Sequence, residues 1–213
     1  MGKVENRQGL ILVLTGPSGV GKDAVMEELM RRLGCSRVVT TTDRPMRPGE
    51  VEGVSYYFVT RERFEQRIEA KEFLEHVEYR SANKGTQKSE IERVLDSKDI
   101  IIWRIDPSAA ANAVSLIQRE FPDKGEEIAK RVVSIYISGY PEDIRDRYSA
   151  RGPGADMKEF EANFLIDQQV WEEYRERYDF VVRNPQERLE ETVDTIELIL
   201  RTARGEIPSP PRV

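Results

Sequence analysis

The feature of this 213-residue chain that most constrains its fold is a short apolar run, a glycine-rich turn and a helical pattern in immediate succession. The run at residues 10–14 has no polar side chain, as expected of a strand buried on both faces of a parallel sheet. The turn occupies residues 16–21. Apolar residues then recur every fourth position from Val25 to Leu33 before Gly34 ends the helix. This order predicts an α/β fold.

The same alternation continues along the chain. Apolar strand-like runs occur at residues 100–103, 132–137 and 178–182, and residues 37–41 supply a further candidate strand. The three long runs are each followed by a helical pattern, at residues 108–119, 141–150 and 185–203. We therefore expect a doubly wound parallel sheet between two helical layers.

Two segments interrupt this alternation. Residues 43–95 contain a Pro/Gly-rich turn at 44–53 and an aromatic strand at 56–59, which predicts an inserted subdomain with antiparallel strands. Residues 147–177 are strongly charged, with a turn at 152–154; such a helical hairpin is either a solvated face or a mobile lid. The predicted core is 9–42, 96–146 and 178–204, with tails at 1–8 and 205–213.

Composition excludes several classes of function. With 38% hydrophobic residues, the chain has no run near the ~20 apolar residues of a membrane span, and no apolar signal core is present. The net charge of −6 argues against a nucleic-acid surface, although local arginines can still bind phosphate. The single cysteine, Cys35, fits a reducing cytoplasm. The oligomeric state is left open, with a homodimer among the alternatives.

The turn after the first strand matches the phosphate-binding pattern G-x-x-x-x-G-K. Its residues are Gly16, Pro17, Ser18, Gly19, Val20, Gly21 and Lys22. Glycines let backbone N–H groups converge on a phosphate, the helix N-terminus adds its positive dipole end, and the lysine reaches the β- and γ-phosphates. An ordinary glycine-rich turn is the alternative. Strand, loop, lysine and helix occur in the order that nucleotide binding requires, which favours an ATP site.

Asp23 follows the loop lysine, where a Ser or Thr usually ligates Mg²⁺. A carboxylate is also a hard oxygen ligand, so Asp23 is a candidate Mg²⁺ ligand. The alternative is that Asp23 stabilises the first helical turn, where carboxylates are favoured. The sequence leaves both open.

A second anion site is predicted beyond the loop. Arg44 and Arg47 lie three residues apart on a proline-stiffened turn, and paired guanidinium groups suit a phosphate monoester. Tyr56, in the following strand, adds a hydroxyl donor. The alternative is a surface turn with scattered charges.

Taken together, these motifs resemble those of the guanylate kinases. The family's order is G-P-S-G-x-G-K, T-T-R-x-P-R-x-G-E, G-x-D-Y-x-F, F-x-E-x-A-E, Y-G-(S/T), D-x-D, R-L-x-x-R and V-x-N. The corresponding segments are 16–22, 42–50, 53–58, 73–78, 84–86, 104–106, 147–151 and 182–184. Each motif is short, but their joint order and spacing are specific, and they span nearly the whole chain. The resemblance implies a P-loop kinase core with an inserted GMP-binding subdomain and a helical lid.

The resemblance also implies roles for single residues. Those for GMP are Arg44, Arg47, Tyr56 and Lys84 at the phosphate, Glu75 at guanine N1 and N2, Thr40 and Thr86 at guanine O6, and Asp106 at the nucleoside. Lys22 would act with the lid residues Arg147 and Arg151 on the transferring phosphoryl group, and Asn184 would lie near the adenine of ATP. An anionic acceptor beside hydroxyl donors would select guanine over adenine, which would leave polar groups unpaired. Alternatively, the two lid arginines form an exposed helix face and Asn184 is a turn residue.

Several positions depart from the family pattern. They are Asp23, Asp43, Ser55, His76, Lys84, Arg104, residues 107–109 and Asn163. Lys84 replaces a tyrosine that contacts the GMP phosphate, and Arg104 replaces the first carboxylate of D-x-D. Asn163 falls near the position of a further lid arginine.

The expected activity is therefore phosphoryl transfer from Mg²⁺-ATP to GMP, carried by alignment and charge neutralisation. Two alternatives remain. Lys22-Asp23 is similar to the loop of ribose 1,5-bisphosphate phosphokinases, which suggests another phosphate acceptor. The departures would also suit a guanylate-kinase-like binding module with little catalysis, although such a module has no need of Lys22.

Overall fold

A computed structural model describes residues 9–79, 82–95, 99–150 and 156–207. The strands are β1 (Leu10–Thr15), β2 (Ser36–Arg37), β3 (Thr41–Thr42), β4 (Tyr57–Phe58), β5 (Phe73–Tyr79), β6 (Ala82–Gln87), β7 (Ile100–Arg104), β8 (Val132–Ser138) and β9 (Phe180–Arg183). The helices are α1 (Lys22–Leu33), α2 (Arg61–Glu69), α3 (Lys88–Leu95), α4 (Pro107–Ala111), α5 (Ala113–Glu120), α6 (Gly125–Ala129), α7 (Pro141–Ser149), α8 (Met157–Tyr174) and α9 (Leu189–Ala203).

The main sheet is parallel and has the order β2-β7-β1-β8-β9. Its central strand, β1, is buried along its whole length, because helices cover both faces of the sheet. Leu14 of β1 pairs with Arg104 of β7, so the loop after β1 and the residues after β7 emerge side by side. In open parallel sheets, ligands bind at this carboxyl edge.

Two apolar clusters confirm the three-layer prediction. On one face, Leu12 and Leu14 pack with Leu29 of α1 and Ile196 of α9. On the other face, residues of β1 and β7 pack with α4, α5 and α6; they are Ile11, Val13, Ile101, Trp103, Ala110, Ile117 and Ile128. The alternation of side chains along each strand divides the strand between the two clusters.

A second sheet, of order β4-β3-β6-β5, forms the predicted insert. The β3–β6 and β5–β6 pairs are antiparallel as expected, whereas β3–β4 is parallel. The strand β3 occupies the last two residues of the predicted core segment 9–42, so the second sheet begins earlier than the sequence suggested. The candidate strand at 37–41 is in fact divided between the two sheets, with β2 in one and β3 in the other.

Two helical predictions also change. The stretch 108–119 forms two helices, because the helical conformation is interrupted at Asn112, whose φ and ψ are −109° and 8°. The stretch 185–203 becomes helical only at Leu189. The turn predicted at 152–154 lies outside the described residues, as does Arg151. Of the described helices, none is both long and apolar enough to cross a membrane.

Candidate functional site

The glycine-rich loop after β1 adopts the geometry of an anion-binding turn. Gly16 and Gly21 have φ values of 141° and 96°. A Cβ atom on Gly16 would lie 2.2 Å from the carbonyl oxygen of Ile137, and one on Gly21 would lie 2.6 Å from Nδ2 of Asn184. Neither position accommodates a side chain, so the glycines allow the loop to lie between β8 and the chain after β9.

Lys22, the first residue of α1, folds back over this loop. Its Nζ donates hydrogen bonds to the carbonyl oxygens of Gly16 and Pro17, at 2.6 and 2.8 Å. The ammonium group therefore lies along the loop rather than out in solvent. A lysine in this position can reach a phosphate that the loop N–H groups hold.

Two predicted residues, Asn184 and Arg147, support the loop from behind. Asn184 is buried; its Nδ2 donates to the carbonyl oxygen of Val20 at 2.8 Å, and its Oδ1 accepts from Thr192 at 3.0 Å. Nη1 of Arg147 donates to the carbonyl oxygens of Val20 and Asn184, both at 3.0 Å. In this arrangement both side chains hold the loop in shape, and the guanidinium of Arg147 does not line the cavity described next.

A cavity of about 540 Å³, here called the central cavity, joins the loop to the insert. Its described lining residues include Gly16, Ser18, Lys22, Thr40, Tyr56, Glu75, Val77, Lys84, Gly85, Arg104, Ile105, Asp106, Pro107, Asn163, Ile166 and Asp167. Residues predicted for ATP and residues predicted for GMP thus share one wall. The last three belong to α8, which falls within the predicted lid segment and forms one side of the cavity.

Glu75, which the sequence predicted to read the base, is half-buried in the wall of the central cavity. Its Oε1 accepts a 2.6 Å hydrogen bond from the Thr86 hydroxyl, which itself accepts a 2.9 Å bond from the indole Nε1 of Trp103. Burial raises the pKa of Glu75, the Thr86 hydrogen bond lowers it, and the charge of Asp106 raises it further. The net effect raises the pKa of Glu75. The Thr86 bond orients the carboxylate, which in its ionised form accepts N–H groups of a ligand.

This geometry changes what Thr86 can do. A threonine hydroxyl has one hydrogen, and that of Thr86 is donated to Glu75. Thr86 is fully buried behind the carboxylate and orients it; donation to guanine O6 would require that bond to break. Thr40, by contrast, lines the central cavity. Trp103 had no predicted role, and no local sequence pattern connects it to Glu75.

Asp106 has a structural partner as well as a place on the cavity wall. Its Oδ1 accepts from the backbone N–H of Ala109 at 3.0 Å, which caps the N-terminus of α4, and Pro107 occupies the first helical position. The cap fixes the carboxylate at the carboxyl edge of the sheet, facing the cavity.

The predicted phosphate-binding residues line an adjoining cavity of about 710 Å³, here called the phosphate cavity. Its charged or aromatic lining residues are Asp23, Arg44, Arg47, Glu50, Tyr56, Lys84, Arg104 and Tyr148. Arg44 makes a forked ion pair with Glu50, at 2.7 and 2.5 Å, and lies 5.0 Å above the ring of Tyr56. This pair holds the pKa of Glu50 down at about 2, so Glu50 keeps the arginine in place at neutral pH.

Lys84 lies between the two cavities and 5.8 Å above the Tyr56 ring. Burial lowers the pKa of Lys84, the Tyr56 side chain raises it, and the charges of Arg104, Arg44 and Arg47 lower it further. A cation crowded by other cations in this way gains stability when an anion binds. The arrangement suits a doubly charged phosphate.

The carboxylate of Asp167, on α8, was missed by the sequence analysis. Its Oδ2 accepts the backbone N–H of Ser18 at 3.1 Å, so a lid carboxylate uses a donor of the phosphate-binding loop. Burial raises the pKa of Asp167, while the Ser18 bond and the charge of Lys22 lower it. The two residues are 149 positions apart, and only the fold brings them together.

Comparison with known proteins places this geometry in a family. The family model for guanylate kinase matches residues 8–203. The chain belongs to the guanylate kinase family. A guanylate kinase of Sulfurimonas denitrificans is 31% identical, over 97% of this chain and 94% of the relative. A guanylate kinase of Symbiobacterium thermophilum is 36% identical, over 83% of this chain and 78% of the relative. The crystal structure of a guanylate kinase from Anaplasma phagocytophilum matches 93% of this chain and 88% of its own, with a TM-score of 0.62 and 29% identity.

The predicted resemblance and fold class are thereby confirmed, and three departures from the guanylate kinase pattern have visible partners. Asp43 accepts the backbone and side-chain N–H groups of Asn83, both at 2.6 Å, and so joins β3 to β6. The Ser55 hydroxyl accepts from the backbone N–H of Val51 at 3.0 Å. Arg104 pairs with Asp23, itself a departure.

Proposed function

We propose that this chain transfers the γ-phosphoryl group of ATP to GMP, giving ADP and GDP. One observation carries the proposal. The phosphate-binding loop and the half-buried carboxylate of Glu75 line the same cavity, with the cationic phosphate cavity beside it. Membership of the guanylate kinase family supports the same activity.

On the donor side, the loop N–H groups and Lys22 would hold the ATP phosphates. The N-terminus of α1 adds its positive dipole end. Asn184 and Arg147 would act through the loop by fixing Val20. We also propose that Asn184 lies near the adenine of ATP, and that Arg147 and Arg151 act on the transferring phosphoryl group.

On the acceptor side, Arg44, Arg47, Tyr56 and Lys84 would bind the GMP phosphate. Glu75 would accept the N1 and N2 hydrogens of guanine, and Thr40 would donate to O6. Adenine carries an acceptor at N1 and no 2-amino group, so it would leave the buried carboxylate unpaired, which is costly. The proposed base selection thus rests on Glu75, oriented by Thr86 and Trp103.

Mg²⁺ is the metal that ATP-dependent transfer calls for. Among the described residues, no group of three or more His, Cys, Asp and Glu side chains could hold a metal, but Mg²⁺ is commonly bound by one or two carboxylates together with substrate phosphates. Asp23 fits that pattern, because its carboxylate is 62% exposed beside the loop. When bound, the ion neutralises charge on the phosphates.

The chain's own contribution to the reaction is alignment, charge neutralisation and exclusion of water. The phosphoryl group passes directly from one phosphate to the other, with no need of a covalent enzyme intermediate. The residues of α8 close one side of the central cavity, which would keep water from the phosphoryl group.

A coupled ADP-release assay across GMP, dGMP, AMP, CMP, UMP and ribose 1,5-bisphosphate tests the proposal. We expect turnover with GMP at saturating ATP and Mg²⁺, and little with AMP or the pyrimidine nucleotides. Lys22→Ala should lower turnover about 100-fold or more, as loss of a group that stabilises phosphoryl charge does. No turnover with GMP, or faster turnover with ribose 1,5-bisphosphate, would reject it.

A further inference from the structure

Arg104 occupies the junction between the two phosphate-handling parts of the site. It is the last residue of β7 and lies opposite Leu14, one residue before the end of β1. Its side chain lines both the central cavity, which holds Lys22 and the loop, and the phosphate cavity, which holds Arg44 and Arg47. Under the proposed function, a guanidinium at this junction would lie between the ATP phosphates and the GMP phosphate.

Asp23 holds this guanidinium without satisfying it. Nη2 of Arg104 donates to Oδ2 of Asp23 at 3.3 Å. Nε lies 3.1 Å from Oδ1, but among the described residues it has no acceptor aligned for a hydrogen bond, and the atom is buried. The Arg104 side chain is 30% exposed on the cavity walls, so its other N–H groups can donate to an anionic oxygen of a ligand.

The charges around the junction call for an anion. The described residues of the phosphate cavity comprise four cations (Arg44, Arg47, Lys84, Arg104) and two carboxylates (Asp23, Glu50), which leaves 4 − 2 = +2. A phosphate monoester dianion carries the matching charge. Arg104 belongs to this shared field, because its charge is one of those that lower the pKa of Lys84.

The described lid residues do not supply a cation to the central cavity. Those that line it are Asn163, Ile166 and Asp167, two of them neutral and one anionic. The cations on its described wall are Lys22, Lys84 and Arg104, all from the core or the insert. Of these, Arg104 alone has the planar fork that can donate two parallel hydrogen bonds to phosphoryl oxygens.

We propose that Arg104 is a catalytic residue whose guanidinium contacts the phosphoryl group as it passes from ATP to GMP, with Asp23 as the residue that positions it. The proposal rests on the proposed function. A phosphate oxygen of GMP forms a bond to the γ-phosphorus, the bond from that phosphorus to the β–γ bridging oxygen breaks, and the electron pair leaves with ADP. Arg104 stays protonated throughout and neutralises charge on the equatorial oxygens.

Four variants test this assignment: Arg104→Met, Arg104→Lys, Asp23→Ser and the double variant Asp23→Ser/Arg104→Met. Steady-state kinetics should show a fall in kcat of about 100-fold or more for Arg104→Met, the usual effect of losing one such donor, with a much smaller change in KM for ATP. Arg104→Lys keeps the charge but loses the fork, so it should fall between the parent and Arg104→Met. Arg201→Met is the matched control, since Arg201 of α9 pairs with Glu197 and Glu206 and lines neither cavity.

The double variant separates catalysis from mere neutralisation of Asp23. The comparison is with Asp23→Ser, so any part that Asp23 plays at the metal cancels. If Arg104 only balances that carboxylate, the double variant turns over as fast as Asp23→Ser, and the proposal is wrong. If Arg104 contacts the phosphoryl group, the double variant is about 100-fold or more slower than Asp23→Ser. Thermal midpoints identify any variant that is slow because it unfolds. If Arg104→Met unfolds, the kcat of Arg104→Lys is compared with that of the parent instead. No GMP turnover by the parent chain overturns the proposed function as well; a fully active Arg104→Met overturns only this inference.

Discussion

Under the proposed function, base selection depends on Glu75, because its carboxylate is oriented by Thr86 and Trp103 and can only accept hydrogen bonds when ionised. Replacing it with glutamine turns one acceptor oxygen into an NH₂ donor facing guanine N–H groups. We expect Glu75→Gln to lower kcat/KM for GMP by about 100-fold or more, since rejection of a mispaired polar edge reaches 10⁴-fold at built sites. KM for ATP should be nearly unchanged.

The matched control for that change is Glu78→Gln. Glu78 lies on the same strand, is exposed and pairs with Arg61 at 3.3 Å, so its replacement should leave kcat/KM for GMP unaltered. Equal values of kcat/KM for Glu75→Gln and the parent would show that the base is read elsewhere.

Lys84 should make GMP capture sensitive to alkaline pH. Burial and the neighbouring arginines lower its pKa in the folded protein, so its charge is lost at a pH below the usual range for lysine. Only the charged form attracts phosphate, so kcat/KM for GMP should fall as pH rises through this lowered pKa. In the complex the bound phosphate raises the pKa again, and kcat should fall less.

The control for this pH profile is Lys84→Arg, because arginine stays protonated throughout the accessible range. Both proteins meet the same GMP, so titration of the substrate cancels when the profiles are divided. We expect the ratio of the parent kcat/KM to that of the variant to decline on the alkaline side. A flat ratio would mean that the Lys84 charge does not contribute to GMP binding.

Among the elements, α8 is the one that should change its contacts when nucleotide binds. Asp167 accepts the Ser18 N–H that an ATP phosphate would need, and its charge opposes the phosphates. Asp167→Ala should therefore tighten ATP binding about fivefold, which corresponds to the ~1 kcal/mol net value of one hydrogen bond. Isothermal titration calorimetry with and without Mg²⁺ measures this directly.

Glu172→Gln on the same helix is the comparison variant, because Glu172 is exposed and pairs with Arg175 at the far end of α8. It should bind ATP as the parent does. Weaker ATP binding by Asp167→Ala would show that this carboxylate assists the nucleotide rather than competing with it.

At the level of elements, the sequence was most informative where structure is local. The strand β1, the loop glycines and α1 follow from patterns within 25 residues, and all three were predicted. The pairs Ser18–Asp167 and Asp23–Arg104 could not be predicted, because their members are 149 and 81 positions apart. Periodicity along the chain does not indicate which strand ends and which lid residues come together in the fold. Arg147, predicted as a lid cation, donates to the carbonyl oxygens of Val20 and Asn184, and its contact with the phosphoryl group stays a prediction.

In the molecule as a whole, the insert and the parallel sheet share one apolar core. Leu74 of β5 and Ile91 of α3 are buried in the same cluster as Ile101 and Trp103 of β7. A subdomain attached in this way cannot unfold without exposing the face of the main sheet. We therefore expect one cooperative unfolding transition, seen identically by far-ultraviolet circular dichroism and by tryptophan fluorescence.

Leu74→Ala tests this coupling, since removing a buried leucine side chain costs about 2–5 kcal/mol. Denaturant titration should show that free-energy loss in both signals at once, although Leu74 lies in the insert and Trp103 in the main sheet. Leu198→Ala, on an α9 residue that is 57% exposed, should change stability by less than ~0.5 kcal/mol. Two separate transitions, with only one of them shifted by Leu74→Ala, would mean that the insert folds independently and that the site is assembled from two autonomous parts.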